Sequence, residues 1–290
     1  MTAELVTITP APTPGVVELS LNDPDRLNPI GMGMLTALRC AFAAVDADDE
    51  IRCVILAGRG RAFSAGGDMD GVSGDGATDW LSFYERFDEV LSAVRQSRKP
   101  TVAAVDGLCY GAGMMLAAHC DFVVGSSEAT FGLIEGRMGA PCGGVFPYLI
   151  GAQWAKFLAL TGEIISAERA RQIGFLLEVI QRDVFAERVQ ALAARIAAMP
   201  PLGVRLNKQN IDGSVDMMGW DQNLLFTRAI KAVLQSAAGE ARSADGVPLR
   251  DLLRREGLRA FIAARDAAFT TPWLDAEHDL VNRRRGQESP

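Results

Sequence analysis

Two largely apolar segments, Ile51 to Leu56 (IRCVIL) and Thr101 to Val105 (TVAAV), each run into a glycine-rich turn, and this repeated pairing constrains the fold most. A strand that is apolar on both faces must be covered on both faces, which a sheet with one wet side cannot do. The segments between have helical spacing. Pro29 to Ala47 sets Met32, Leu35, Leu38, Ala41, Phe42 and Val45 on one face, and Trp80 to Ser97 is amphipathic. Val16 to Leu21 and Asp121 to Gly125 read as further strands, Asn22 to Asp25 as a turn, and a short helix follows Gly111. Strands alternating with helices predict an α/β fold.

Pro10, Pro12 and Pro14 punctuate what reads as a short leader ending at Gly15. From about Glu163 onward the pattern becomes mostly helical, with helices expected over Ser166 to Gln172, Arg182 to Ala198 and Trp220 to Ala238. A boundary is expected near Pro200-Pro201. It divides an α/β core over residues 1–200 from a helical C-terminal region over 201–290, whose last twenty residues, with Arg283 to Arg285, read as a solvated tail.

Composition excludes several function classes. A net charge of -7 does not suit a nucleic-acid binder, because phosphate binding needs a local excess of Lys and Arg. The longest apolar run, Gly107 to Ala118, is too short to span a bilayer, and no basic-then-apolar signal segment opens the sequence. Five cysteines (Cys40, Cys53, Cys109, Cys120, Cys142) with no C-x-x-C pair read as reduced, structural thiols, so a soluble, cytoplasmic protein is expected.

The chemistry concentrates in two turns, Arg61-Ala62-Phe63-Ser64-Ala65-Gly66-Gly67-Asp68-Met69-Asp70 and Asp106-Gly107-Leu108-Cys109-Tyr110-Gly111-Ala112-Gly113-Met114-Met115. A strand that ends in small residues and opens into a helix leaves free backbone N–H groups, which suit an anion or a developing oxyanion. The same glycines also serve tight turns and close packing, and composition leaves both readings open. Asp68 and Asp70 read as helix caps rather than a metal pair, and no metal site is expected. Only His119 and His278 are available for a Ser-His-Asp triad. His119 sits in an apolar helix and His278 in the tail, which argues against one. Tyr110 reads equally as pocket lining or as a core aromatic.

RAFSAGGDMD closely resembles the first oxyanion-hole segment of the crotonase (enoyl-CoA hydratase/isomerase) family, and KPTVAAVDGLCYGAGMMLAAHCDFVV resembles the second. LNDPDRLNPIG is similar to the family's opening motif beside the CoA adenine, and EGLRAFIAARDAAF to its terminal helix over the CoA. The matches run in order from Val16 to Phe269. The resemblance implies a spiral of repeated β-β-α units, with a helical C-terminal region that forms trimers or dimers of trimers. It implies an acyl-CoA thioester substrate and no separate cofactor, coenzyme A arriving as part of the substrate. By position it assigns the carbonyl-polarising N–H groups to Gly67 and Ala112. It assigns substrate contacts to Arg26, Leu27, Ala65, Asp68, Met69, Asp70, Tyr110, Gly111, Met115, Phe261 and Arg265.

Family hydratases use two glutamates. The position of the first holds Met115, whose thioether cannot transfer a proton, and that of the second holds Glu135. One carboxylate among Phe131, Leu133, Ile134 and Met115 resembles the Δ3,Δ2-enoyl-CoA isomerases more than the hydratases, and burial there is expected to raise its pKa. A helix-capping carboxylate, a hydratase-like lyase using another acid, and a catalytically silent acyl-CoA binder are the competing readings. The chain departs from the family pattern in a short loop over Gly139 to Gly144 and in Ala264, where members often hold a phosphate-binding Lys that Arg265 would replace. It also departs in a longer link, Gln235 to Arg254, which reads as a surface loop or a lid over the acyl chain.

Overall fold

The structure, a computed structural model, describes residues 4–68, 77–238 and 241–274. Its first two strands, β1 (Val6–Pro10) and β2 (Val16–Leu21), form an antiparallel hairpin with Val6 opposite Leu21 and Pro10 opposite Val17. The proline-punctuated opening therefore holds a strand ending at Pro10, with Pro12 and Pro14 in the turn that follows. Its place at the sheet edge explains the tolerance of Pro10, because a proline there removes no ladder bond on a central strand.

Helix α1 (Met32–Ala47) follows and buries Met34, Leu35, Leu38, Ala41, Phe42 and Val45. Met32, expected on that face, is 39% exposed. At about 100° per residue it lies roughly 120° around the helix from Leu38, outside the buried arc.

Three β-β-α units then repeat. They are β3 (Cys53–Gly58), β4 (Ala62–Ser64) and α2 (Ala77–Arg95); β5 (Thr101–Val105), β6 (Leu108–Tyr110) and α3 (Ala112–Ala117); β7 (Phe122–Ser126), β8 (Thr130–Gly132) and α4 (Phe146–Thr161). The next elements are β9 (Ile164–Ser166), α5 (Ala167–Gln172), β10 (Glu178–Ile180) and α6 (Phe185–Ala197). The first strand of each unit joins a six-stranded sheet in the order β1-β2-β3-β5-β7-β10, parallel from β2 onward. The second joins a four-stranded sheet ordered β4-β6-β8-β9. This is the spiral that the resemblance implied. Val54, Leu56, Ala103 and Val105 bury against one set of helices, and Cys53, Ile55, Val102 and Ala104 against α6, so both faces of the large sheet are covered.

The strands of the small sheet span only three residues each, too few for a period of two to register, and sequence reading missed them. For the same reason the stretch after Glu163, expected to be mostly helical, contains β9 and β10. Helix α4 was also missed, because Pro147 and a kink at Gly151 interrupt its period.

Four more helices complete the described chain: α7 (Pro201–Met217), α8 (Trp220–Ala238), α9 (Leu249–Glu256) and α10 (Leu258–Asp266). The link expected as a surface loop is helical at both ends, with a non-helical stretch over 241–248 between them. Gln235 lies within α8, and α9 anchors Leu249 in a cluster with Met138, Ala140 and Phe261. The tail segment that carries His278 and Arg283 to Arg285 lies outside the described residues. No described helix is long and apolar enough to cross a membrane.

Candidate active site

Because β4 and β6 are neighbours in the small sheet, the turns that leave their C-terminal ends lie side by side. A β-carbon on Gly66 would stand 3.3 Å from the Tyr110 carbonyl oxygen and 4.0 Å from the Ala112 nitrogen, so the two turns pack backbone to backbone. The first turn is held by the Leu27–Ile30 segment. The Ala65 N–H donates to the Leu27 carbonyl (2.9 Å), the Ile30 N–H to Gly66 (2.8 Å), and the Asp68 N–H to Ile30 (3.0 Å). In this one-residue parallel bridge, Ile30 uses the groups on either side of Gly67. The Gly67 N–H is left pointing the other way. Arg26 Nη2 adds a bond to Asp68 Oδ1 at 2.8 Å.

The second turn ends at Gly111, with φ +50° and ψ -118°, and α3 begins at Ala112. The Ala112 N–H belongs to the first helical turn and has no intrahelical acceptor. Gly67 and Ala112 thus present two backbone donors at adjoining turns, the arrangement that stabilises a developing oxyanion.

Glu135 lies on a short 3-10 turn, Ile134–Met138, directly after β8. Since β8 flanks β6, its carboxylate comes to rest on Gly111: a β-carbon there would stand 2.6 Å from Oε2. Glycine at 111 thus serves both the positive φ and the approach of the carboxylate. The turn is braced by Arg137, which donates to the Gly162 carbonyl (2.9 Å) and to Asp266 Oδ1 (3.0 Å). Glu135 Oε2 is shut off from solvent and accepts no hydrogen bond. Burial pushes the carboxyl up to about 7, against smaller opposing pulls from a backbone hydrogen bond and the Arg265 charge.

Met115, one turn into α3 and 6% exposed, packs its methyl group on Gly144 of the 139–144 loop. The other cavity carboxylates at this end are engaged. Asp68 pairs with Arg26. Asp266 pairs with Arg265 and Arg137, which outweigh its burial and hold its carboxyl below the usual range. His119 is a core residue. Its Nδ1 is 2.8 Å from the Met115 carbonyl, its ring meets Trp220 edge-on, and burial drives its pKa down to about 3. Among the described residues no group of three or more His, Cys, Asp or Glu is placed to hold a metal.

A cavity of about 760 Å³ joins these parts. Of the residues singled out from sequence, Arg26, Leu27, Ala65, Gly67, Asp68, Tyr110, Gly111, Ala112, Met115, Glu135, Phe261 and Arg265 all line it. Met69 and Asp70 lie outside the described residues. Tyr110, left open between pocket and core, faces the cavity with its hydroxyl 2.9 Å from Thr130 Oγ1. Arg265 is mostly buried and makes two bonds to Asp266. Sequence reading missed Trp80, Phe83, Tyr84, Phe87, Lys231 and Gln235, which also line the cavity. The aromatic residues of α2 recur at helical spacing, but a core-facing stripe has that same spacing, so period alone gave no signal.

The sequence signature of the enoyl-CoA hydratase/isomerase family matches residues 12–271. The chain is 35% identical over 265 residues to the 1,2-epoxyphenylacetyl-CoA isomerase of Escherichia coli (strain K12), covering 88% of this chain and 95% of that one. Its fold matches the crystal structure of an enoyl-CoA hydratase/isomerase from Xanthobacter autotrophicus Py2 with a TM-score of 0.84 at 30% identity, over 93% of this chain and all of that one. An enoyl-CoA hydratase from Bacillus anthracis matches with a TM-score of 0.69 at 28% identity, over 79% and 91%. Signature, sequence relatives and fold agree with the two-turn site: the chain belongs to the enoyl-CoA hydratase/isomerase family of the crotonase superfamily.

Proposed function

We propose that this family member is an acyl-CoA isomerase that moves a double bond through one carboxylate, Glu135. The observation that carries the reading is the composition of the site. One buried carboxyl, its Oε2 without a partner, adjoins the oxyanion turns, and a thioether, Met115, occupies the position where a second acid would sit. The thioester carbonyl oxygen accepts hydrogen bonds from the Gly67 and Ala112 N–H groups. Glu135 takes a proton from C2 of a 3-enoyl ester, and the electron pair moves into the carbonyl to give an enolate. The neutral carboxyl then returns the proton at C4, leaving the double bond between C2 and C3. No atom is gained or lost. A carboxyl poised near 7 serves both steps, since it is readily ionised as the base and readily protonated as the acid.

Hydration needs a second group to position and deprotonate water, and none stands free opposite Glu135 among the described residues. The relative from Escherichia coli, named as an isomerase of a CoA thioester, supports the same class. Coenzyme A enters as part of the substrate, and the chain itself supplies the acid/base and oxyanion groups. A trimer or a dimer of trimers is the proposed assembly. It is supported by exposed apolar side chains along α7 and α8, among them Leu206, Ile211, Leu225, Phe226 and Val233. Five free thiols support a reducing, cytoplasmic setting.

The test is incubation with matched 2-enoyl-CoA and 3-enoyl-CoA esters and product analysis by mass spectrometry and chromatography. Isomerisation leaves the mass unchanged and shifts the double bond. Addition of a water mass as the main outcome would replace the isomerase reading with hydration, and recovery of every ester unaltered would leave a silent binder.

A further inference from the structure

One stretch of the cavity wall carries polar groups that isomerisation does not use. Lys231 and Gln235, one turn apart on α8, line the cavity beside Trp80 and Tyr84 on α2. Lys231 is only 7% exposed, and its Nζ reaches Asp88 Oδ1 at 3.3 Å. Asp88, 2% exposed, takes a shorter bond of 2.9 Å from Arg228 Nε. One buried carboxylate therefore faces two cations, and Lys231 holds the weaker share of it. An ammonium has three N–H donors. The described residues give Lys231 one distant acceptor and the face of the Tyr84 ring at 5.8 Å.

Trp80 makes the same point independently. Its Nε1–H is closed off from solvent and has no acceptor. Its ring lies 6.5 Å from that of Tyr84, whose hydroxyl donates to Gln235 Oε1 at 3.2 Å and so fixes the ring between the two unspent donors. Burial raises the Tyr84 hydroxyl's pKa, and the nearby charges of Glu135 and Asp88 raise it further. A pocket meant for hydrocarbon alone would leave these buried donors unmatched, which is unfavourable.

Resting on the reading that this cavity holds an acyl-CoA, we propose that Trp80 and Lys231 bind a second oxygen function on the acyl group, remote from the thioester. The substrate is then an oxygenated acyl-CoA rather than a plain hydrocarbon one. Carbonyl, hydroxyl and carboxylate oxygens all accept from such donors, and the surplus cation at Asp88 ranks a carboxylate first.

The experiment is calorimetric binding of saturated, unreactive CoA thioesters with six, eight and ten carbons, each ending in methyl, hydroxyl or carboxylate. At one length or more, the hydroxyl or carboxylate ester is expected to bind about tenfold tighter than its methyl partner, the scale of one net hydrogen bond. Lys231→Met removes most of that preference while leaving methyl-ended binding within about twofold; Asp88 keeps Arg228, so the fold is retained. Trp80→Phe keeps the ring, removes only its donor and lowers the preference in part, which guards against failure of the first variant to fold. Equal or tighter binding of the methyl esters at every length would overturn the inference, as would a preference that survives in both folded variants. None of these ligands has a double bond to move, so the result stands apart from the isomerase assignment. Loss of all CoA-ester binding would instead overturn the reading of the cavity itself.

Discussion

Replacing Glu135 with Gln is expected to abolish turnover and, at the same time, to stabilise the protein above neutral pH. The carboxyl titrates at about 7 in the folded protein against an ordinary value of 4.5, because burial disfavours its charged form. Below 4.5 it is neutral in both the folded and the unfolded chain. Between 4.5 and 7 the unfolded chain loses the proton first, so the stability of the wild type falls as pH rises and then levels off above 7. The difference of 2.5 pH units corresponds to about 3 kcal/mol at 1.36 kcal/mol per unit. That figure is a ceiling, since the side chain borders the open cavity and water entering there screens the charge. The amide that replaces the carboxyl cannot ionise and escapes this penalty. Urea unfolding of both proteins at pH 4.5 and pH 8, at one fixed protein concentration, measures it. The Glu135→Gln variant should gain roughly 1–3 kcal/mol on the wild type between the two conditions. Its kcat should collapse while acyl-CoA binding is kept. A stability difference that does not change with pH would refute the raised carboxyl, and near-normal kcat would remove Glu135 from the mechanism.

Three further substitutions probe the site's geometry. Ala112→Pro deletes a backbone donor and should cut kcat about a hundredfold or more, whereas Ala112→Ser should be tolerated; normal activity in a folded proline variant would move the carbonyl elsewhere. Gly111→Ala sets a β-carbon 2.6 Å from Glu135 Oε2 at a φ of +50°, so a stability loss of roughly 1–3 kcal/mol and a lowered kcat are expected in thermal melts and rate assays. An unperturbed variant would show that Glu135 has room to retreat. Met115→Glu faces Glu135 with a second carboxyl, and the pair would share a proton near neutral pH. Measurable hydration of a short 2-enoyl-CoA is expected from that variant and little from the wild type, and robust wild-type hydration would count against the role given to Met115.

By itself the sequence determined the long strands, most of the helices and the chemical character of the two turns. Val16 to Leu21 and Thr101 to Val105 are long and apolar enough to declare themselves, and the period of α1 marked its buried face. RAFSAGGDMD and the Gly111-Ala112 turn suited free backbone donors, and the resemblance to the family, rather than the small residues themselves, set that reading above plain tight turns. The rest is long-range. Only pairing of β4, β6 and β8 in one small sheet brings Gly67, Ala112 and Glu135 to one cavity, and strands of three residues carry no period from which that pairing could be read. The raised pKa of Glu135 was expected from its apolar surroundings, Phe131, Leu133, Ile134 and Met115, and the fold completes that enclosure with segments far apart in the chain. Trp80 and Lys231 came into view last for the same reason. Each belongs to an ordinary amphipathic helix, and only the packing of α2 against α8 turns a buried face into a cavity wall with donors left to satisfy.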